Sequence, residues 1–124
     1  MPYPVTLWAP VTKPFPYSVL YYTDDAPDGG RYLRRELARL ETIQDAGALS
    51  FTGYLDRLSG PLILHQGSED DAVPQRWNDD FVFKLKEMDK DIKYYVYPGA
   101  DHNMNGAWDT VVTRDLEFFR SFHK

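Results

Sequence analysis

Hydrophobic and polar positions divide the 124-residue chain into short, differently spaced patterns. Val5 to Ala9 is a β-prone run fenced by Pro4 and Pro10, which predicts a short strand with fixed ends. The following stretch, "VTKPFPYSVLYYTDDAPDGG", is rich in Pro, Tyr, Asp and Gly and predicts an irregular connection. From Arg31 the spacing turns helical. Leu33, Leu37 and Leu40 share one face and Arg34, Arg35, Glu36 and Arg39 the other, predicting a helix that ends near Gly47. "FTGYLDRLSG" predicts a turn, or a single helical turn, leading into an apolar strand over residues 61–66. Pro74 suits the first turn of a helix, and Trp77, Phe81, Leu85 and Met88 stripe that helix through about Lys90. "IKYYVYP" alternates and is aromatic and β-branched, hence a strand. A last helix, capped by Asp109, is expected to carry Val112, Leu116, Phe119 and His123 along one stripe. Strand, helix, strand, helix, strand, helix predicts an α/β fold: a short parallel sheet of about three strands with flanking helices.

Composition narrows the picture. The length suits one small domain, residues 1–124. With 43% hydrophobic and 15% aromatic residues the chain can build a core. A net charge of −5 argues against a nucleic-acid surface. Without Cys there is no disulfide, thiol nucleophile or Cys-ligated zinc. No apolar stretch approaches the roughly 20 residues of a membrane span. "MPYPVTLWAP" lacks a basic segment followed by a long apolar one, so no signal peptide is predicted and a cytoplasmic location is the expectation.

The candidate chemistry lies in two loops that follow strands. "GSEDDAVP" holds Asp70, and "YPGADHNM" holds His102, 32 residues further on. One strand–helix–strand crossover of that length places both loops at the C-terminal ends of neighbouring strands, where open α/β sheets keep their chemistry. An Asp beside a His fixes the imidazole tautomer and stabilises the imidazolium formed when the His takes a proton. The plainer alternative is a solvated acidic turn and a surface His.

These two loops resemble the acid and base loops of α/β-hydrolases of the prolyl oligopeptidase type, a serine peptidase family. The shared pattern is a strand ending in Gly, Asp-x-x-Val-Pro, a helix, a strand ending "YPG", and a His. "LWAPVT" also resembles the strand that follows the nucleophile's helix in that family. The resemblance implies Asp70 as triad acid, with Asp71 the runner-up, and His102 as triad base. It implies no cofactor and no metal. The departure is large, because the family's Ser sits on a G-x-S-x-G elbow and this sequence contains none. Its serines are Ser18, Ser50, Ser59, Ser68 and Ser121, and Ser68 belongs to the acid's own turn. The oxyanion-hole loop, upstream of the nucleophile in that family, has no counterpart either. The chain is therefore expected to be silent alone, either as the acid–base part of a hydrolase or as a non-catalytic module derived from one.

Other candidates are weaker. "TDDAPDGG" is similar to a calcium loop but lacks the alternating acidic spacing and terminal Glu. A zinc site from Asp70, Asp101 and His102 would need adjacent residues to converge on one ion. His65, beside Gln66 near a strand end, is expected to be a hydrogen-bonded core residue, and His123 to be solvated. The pairs Tyr21-Tyr22 and Tyr94-Tyr95 are expected to serve strands and core.

The resemblance also bears on partners. In the family's sheet the nucleophile's strand pairs beside the one corresponding to Val5–Ala9. With that neighbour absent, Val5–Ala9 is a bare edge that invites another chain. The expectation is a dimer in which this strand meets its own copy antiparallel, or the surface around it packs face to face, burying more than about 1,000 Å². The alternative partner is a second chain that supplies the nucleophile.

Overall fold

The computed structural model describes residues 3–122. They form two compact units. One is made of the described parts of Met1–Val11 and Leu58–Lys124, the other of Thr12–Arg57.

The first unit is an α/β layer structure. Strands β1 (Val5–Trp8), β2 (Leu62–Gly67) and β3 (Ile92–Tyr97) form a parallel sheet in the order β1-β2-β3. Leu7 is registered with Leu64, and Leu64 in turn with Tyr94. Central β2 is buried at every position, as its unbroken apolar start requires. Two helices cover the sheet, α3 (Gln75–Glu87) and α4 (Trp108–Arg120). Gln66 of β2 bonds Asn78 of α3, and its neighbour His65 bonds Asp115 of α4. Adjacent residues of a strand point to opposite faces, so α3 and α4 lie on opposite sides of the sheet. Among the described residues, no helix is long and apolar enough to cross a membrane.

Local chemistry sets the ends of these elements. Pro74 stands immediately before α3, where its missing N–H costs nothing. At the other end Asp89 turns left-handed (φ 57°), and the Lys90 N–H reaches back to the Leu85 carbonyl, closing the helix. The α3 stripe of Trp77, Phe81 and Leu85 is buried as its spacing predicts, with Met88 half-buried at the C-cap.

The last helix departs from expectation. Its buried stripe is Val111, Asp115 and Phe118, while Leu116 and Phe119 are exposed and Val112 half-buried. A carboxylate occupies the centre of the inward face, so an apolar count selects the neighbouring stripe instead. Asp109 lies within the first helical turn rather than at the N-cap, which is Ala107. His123 lies outside the described residues.

The second unit holds α1 (Tyr17–Tyr22) and α2 (Arg31–Glu41), with short 3-10 turns at Thr23–Asp25, Ala46–Leu49 and Phe51–Arg57. The stretch expected to be irregular thus contains a six-residue helix, and Tyr21 and Tyr22 are helical rather than in a strand. Asp28 accepts from the N–H groups of Gly30 and Tyr32 and so caps α2. Those backbone bonds hold its carboxyl below the usual carboxylate range. Asp24 pairs with Arg34. Two carboxylates of the calcium-like stretch therefore have structural partners. Helix α2 stops at Glu41, short of Gly47, because the Thr42 hydroxyl bonds the Arg39 carbonyl and Asp45 caps the next turn at Gly47.

Candidate acid–base site

Strand β2 delivers Gly67 to the start of the acid loop, and β3 delivers Tyr97 to the start of the base loop. The two loops are stitched together. Ser68 N–H bonds the Tyr97 carbonyl at 3.0 Å, and Glu69 N–H bonds the Ala100 carbonyl at 3.0 Å. The Gly99 N–H donates to Ser68 Oγ at 2.8 Å. Gly67 is required for this approach, because a Cβ there would collide with the Ala100 carbonyl oxygen.

Asp70 is held on all sides. Its Oδ1 accepts from the N–H groups of Ala72 and Val73 at 2.9 and 2.8 Å, which explains why the acid precedes a tight Asp-x-x-Val turn. Gln66 braces the same turn from β2. Its Nε2 donates to the carbonyls of Gly67 and Val73 at 3.0 Å each, and it reaches Asp70 Oδ2 at 3.5 Å. Asn78 of α3 in turn donates to Gln66 Oε1 at 2.6 Å. Nothing in the spacing of the sequence marks Gln66 or Asn78, although a Gln and an Asn on otherwise apolar stripes are the available signal.

His102 meets this carboxylate. Its Nδ1 lies 2.8 Å from Asp70 Oδ2, with the Asp70 side chain fully buried and that of His102 42% exposed. An ionised carboxylate only accepts, so Nδ1 carries the proton and Nε2 is left with its lone pair. No described residue bonds Nε2. Asp71 is exposed, and the carboxylate that meets His102 is that of Asp70. Asp101 shapes the loop instead. Its Oδ1 accepts from Asn103 and Asn105 N–H, and its Oδ2 from the Asn105 amide. The Asn105 backbone bond leads in lowering its pKa below the usual range. Among the described residues no cluster of His, Asp and Glu has the arrangement of a metal site.

A second His–Asp pair lies inside the unit. His65 is fully buried within β2, a hydrogen-bonded core residue as expected. Its Nε2 is 2.7 Å from Asp115 Oδ1, and its Nδ1 is 2.7 Å from the Tyr97 hydroxyl. Asp115 also accepts from Thr6 Oγ1 at 2.8 Å and Trp8 Nε1 at 2.7 Å. Burial pushes the His65 pKa below its ordinary value, against the opposing pull of Asp115. His65 is therefore neutral near pH 7, with Nε2–H donating to Asp115 and Nδ1 accepting from Tyr97. Burial likewise holds the Tyr97 hydroxyl above its ordinary value, keeping it a donor. This network ties β1, β2, β3 and α4 together. Asp115, like Gln66 and Asn78, is a residue that sequence reasoning missed.

The serines have ordinary surroundings. Ser68 clamps the two loops, Ser121 donates to the Phe118 carbonyl, and Ser50 accepts from Phe15 N–H. Ser18 lies inside α1 and Ser59 on an exposed stretch.

No family model matches the chain, and no curated protein matches it. Among solved structures it is similar to a protein assigned as a dienelactone hydrolase from Klebsiella pneumoniae, with a TM-score of 0.51 and 21% identity. The match covers 59% of this chain and 34% of that protein, so the chain accounts for about a third of its length. At that identity the likeness concerns the fold and reaches no single family. The parallel three-stranded sheet with its flanking helices resembles part of an α/β-hydrolase.

Proposed function

We propose that this chain is the acid–base part of a serine hydrolase of peptidase type, acting in acyl transfer. The observation that carries the reading is the 2.8 Å contact between His102 Nδ1 and a fully buried Asp70 carboxylate, at the C-terminal ends of adjacent parallel strands. In this role His102 Nε2 takes the proton of an attacking hydroxyl and returns it to the leaving group, while Asp70 fixes the tautomer and stabilises the imidazolium. The hydroxyl and the oxyanion donors come from outside these 124 residues, since the sequence has no G-x-S-x-G. Alone, the chain should turn over neither esters nor aminoacyl substrates.

A second reading, a non-catalytic partner-binding module, is favoured by the serines themselves. The hydroxyls of Ser50, Ser68 and Ser121 are engaged in hydrogen bonds to the backbone, and none stands on a strand-to-helix elbow.

A serine-reactive fluorophosphonate probe separates the two readings. In extracts of the source cells, the first reading expects a labelled protein whose labelling depends on this chain and is lost with His102→Ala. Extracts showing no such dependence would leave the module reading. Stoichiometric labelling of Ser68 in the purified chain, lost in His102→Ala, would overturn both and indicate a rearranged active site.

A further inference from the structure

We infer that β1 and α4 together form one self-complementary surface, and that its occupant in the chain by itself is a second copy related by a two-fold axis normal to the sheet, on the same edge that a nucleophile-bearing partner would have to displace it from. Strand β1 is paired by β2 on one side, and no described strand pairs its other side. Val5 and Ala9 N–H bond carbonyls at and before β2, those of Pro61 and His65. In a strand, alternate residues point to opposite neighbours, so the N–H and C=O groups of Thr6 and Trp8 point to the open edge. Two such edges run antiparallel about Leu7 would match Thr6 with Trp8 of the partner subunit, and Trp8 with its Thr6. Both would be closely spaced hydrogen-bonded pairs, giving four backbone bonds. Pro4 and Pro10 confine the pairing to this short register.

Helix α4 supplies the second half of the surface. Beside its buried face runs an apolar stripe of Trp108, Val112, Leu116 and Phe119, of which Trp108 is 54% and Leu116 48% exposed. The stripe lies on the β1 side. Trp108 packs edge-on against Trp8 at 5.0 Å, whereas Arg114, on the opposite flank, sits over Tyr95 of β3. The same axis that pairs β1 with its copy sets α4 antiparallel to its copy. Asp115 bonds residues of β1 and β2, so α4 lies one to one and a half strand spacings from the axis. The two helix axes are then about 10–14 Å apart. Close-packed helices sit about 8–10 Å apart, and side chains as long as Trp108 and Phe119 close the difference.

Charge and register agree with this arrangement. Asp109 and Arg120, exposed and of opposite sign, are eleven residues apart and so share one flank of α4. Run antiparallel, each meets the other's counterpart: Asp109 faces Arg120 of the partner subunit, and the reverse. A parallel arrangement would set like charges together. The midpoint of that pair falls between Arg114 and Asp115. Asp115 is the residue that bonds Thr6 and Trp8, which flank the Leu7 midpoint of the strand. Strand and helix registers therefore share one axis.

Sedimentation velocity tests this directly. The parent chain should be a dimer at roughly 50 µM, with an interface of more than about 1,000 Å². Arg120→Asp and Asp109→Arg, each checked for an unchanged far-ultraviolet circular dichroism spectrum, should each weaken dimerisation roughly tenfold or more. The double variant Asp109→Arg/Arg120→Asp should restore it to within about threefold of the parent. A monomeric parent, single variants that dimerise like the parent, or a double variant no better than the singles would overturn the inference. Leu7→Lys, which puts two ammonium groups on the axis, should give a folded monomer. Its persistence as a dimer would overturn the strand half.

Discussion

Among the described residues there are two His–Asp pairs built from the same side chains at nearly the same distance, 2.7 Å for His65–Asp115 and 2.8 Å for His102–Asp70. Their surroundings differ in what each ring has left unbonded. Both nitrogens of His65 are occupied, and its ring is packed near Tyr95 and Tyr97, so it has no lone pair to offer a substrate. His102 spends one nitrogen on its carboxylate, and no described residue bonds the other. A His–Asp contact is thus not by itself a site. What distinguishes a candidate base is an imidazole nitrogen that the fold leaves unspent.

The comparison is most easily broken at Asp115. Asp115→Ala leaves the buried His65 Nε2–H and the half-buried Thr6 and Trp8 donors without their acceptor, and should cost about 2–4 kcal/mol in urea denaturation. A loss below about 1 kcal/mol would show that the network is not what holds α4 to the sheet. Tyr97→Phe removes the hydroxyl that donates to His65 Nδ1 and accepts from Arg114, and should cost about 1–3 kcal/mol.

A pH series sharpens the contrast. The folded pKa of His65 lies below the ordinary 6.5 because burial disfavours the imidazolium. Below pH 6.5 the unfolded chain therefore binds a proton that the folded chain resists. Stability from this group is complete above 6.5 and is lost as pH falls toward the folded value. The slope from this one proton should not exceed about 1.4 kcal/mol per pH unit, and it should persist in His102→Ala. Stability that rises on acidification from pH 7 to 5 would contradict the neutral assignment of His65. The smallest effect is expected at the other pair. His102→Ala should change stability by no more than about 0.5 kcal/mol, because its ring is partly exposed and Asp70 keeps its bonds to Ala72 and Val73. A larger loss would make His102 a structural residue like His65.

Much of this is legible in the sequence, and the failure at the inward face of α4 has a physical cause. Strand periodicity located β1, β2 and β3, and the loop residues after β2 and β3 pointed to Asp70 and His102, which the fold brings into contact. Periodicity places helix α4 but selects the wrong inward face. Apolar counting chose Val112, Leu116 and Phe119, whereas the buried stripe centres on Asp115. A buried carboxylate is tolerable only with partners, and its partners Thr6, Trp8 and His65 are 50 to 109 residues away in sequence. Local pattern carries no trace of such a bond. Gln66 and Asn78, which brace the acid loop from a strand and a helix 12 residues apart, show in the sequence only as polar residues on otherwise apolar stripes. Helix α1 was hidden by flanking prolines and tyrosines that read as irregular chain.

The most direct test is the tautomer of each histidine, read from imidazole nitrogen shifts and two-bond couplings by NMR in ¹⁵N-labelled protein at a pH where both rings are neutral. His65 should carry its proton on Nε2, donated to Asp115, and His102 should carry its proton on Nδ1, donated to Asp70. Opposite tautomers in one molecule, with the His102 pattern lost in Asp70→Ala, are the result this account predicts. His102 found chiefly as the Nε2–H form, unchanged by Asp70→Ala, would contradict it.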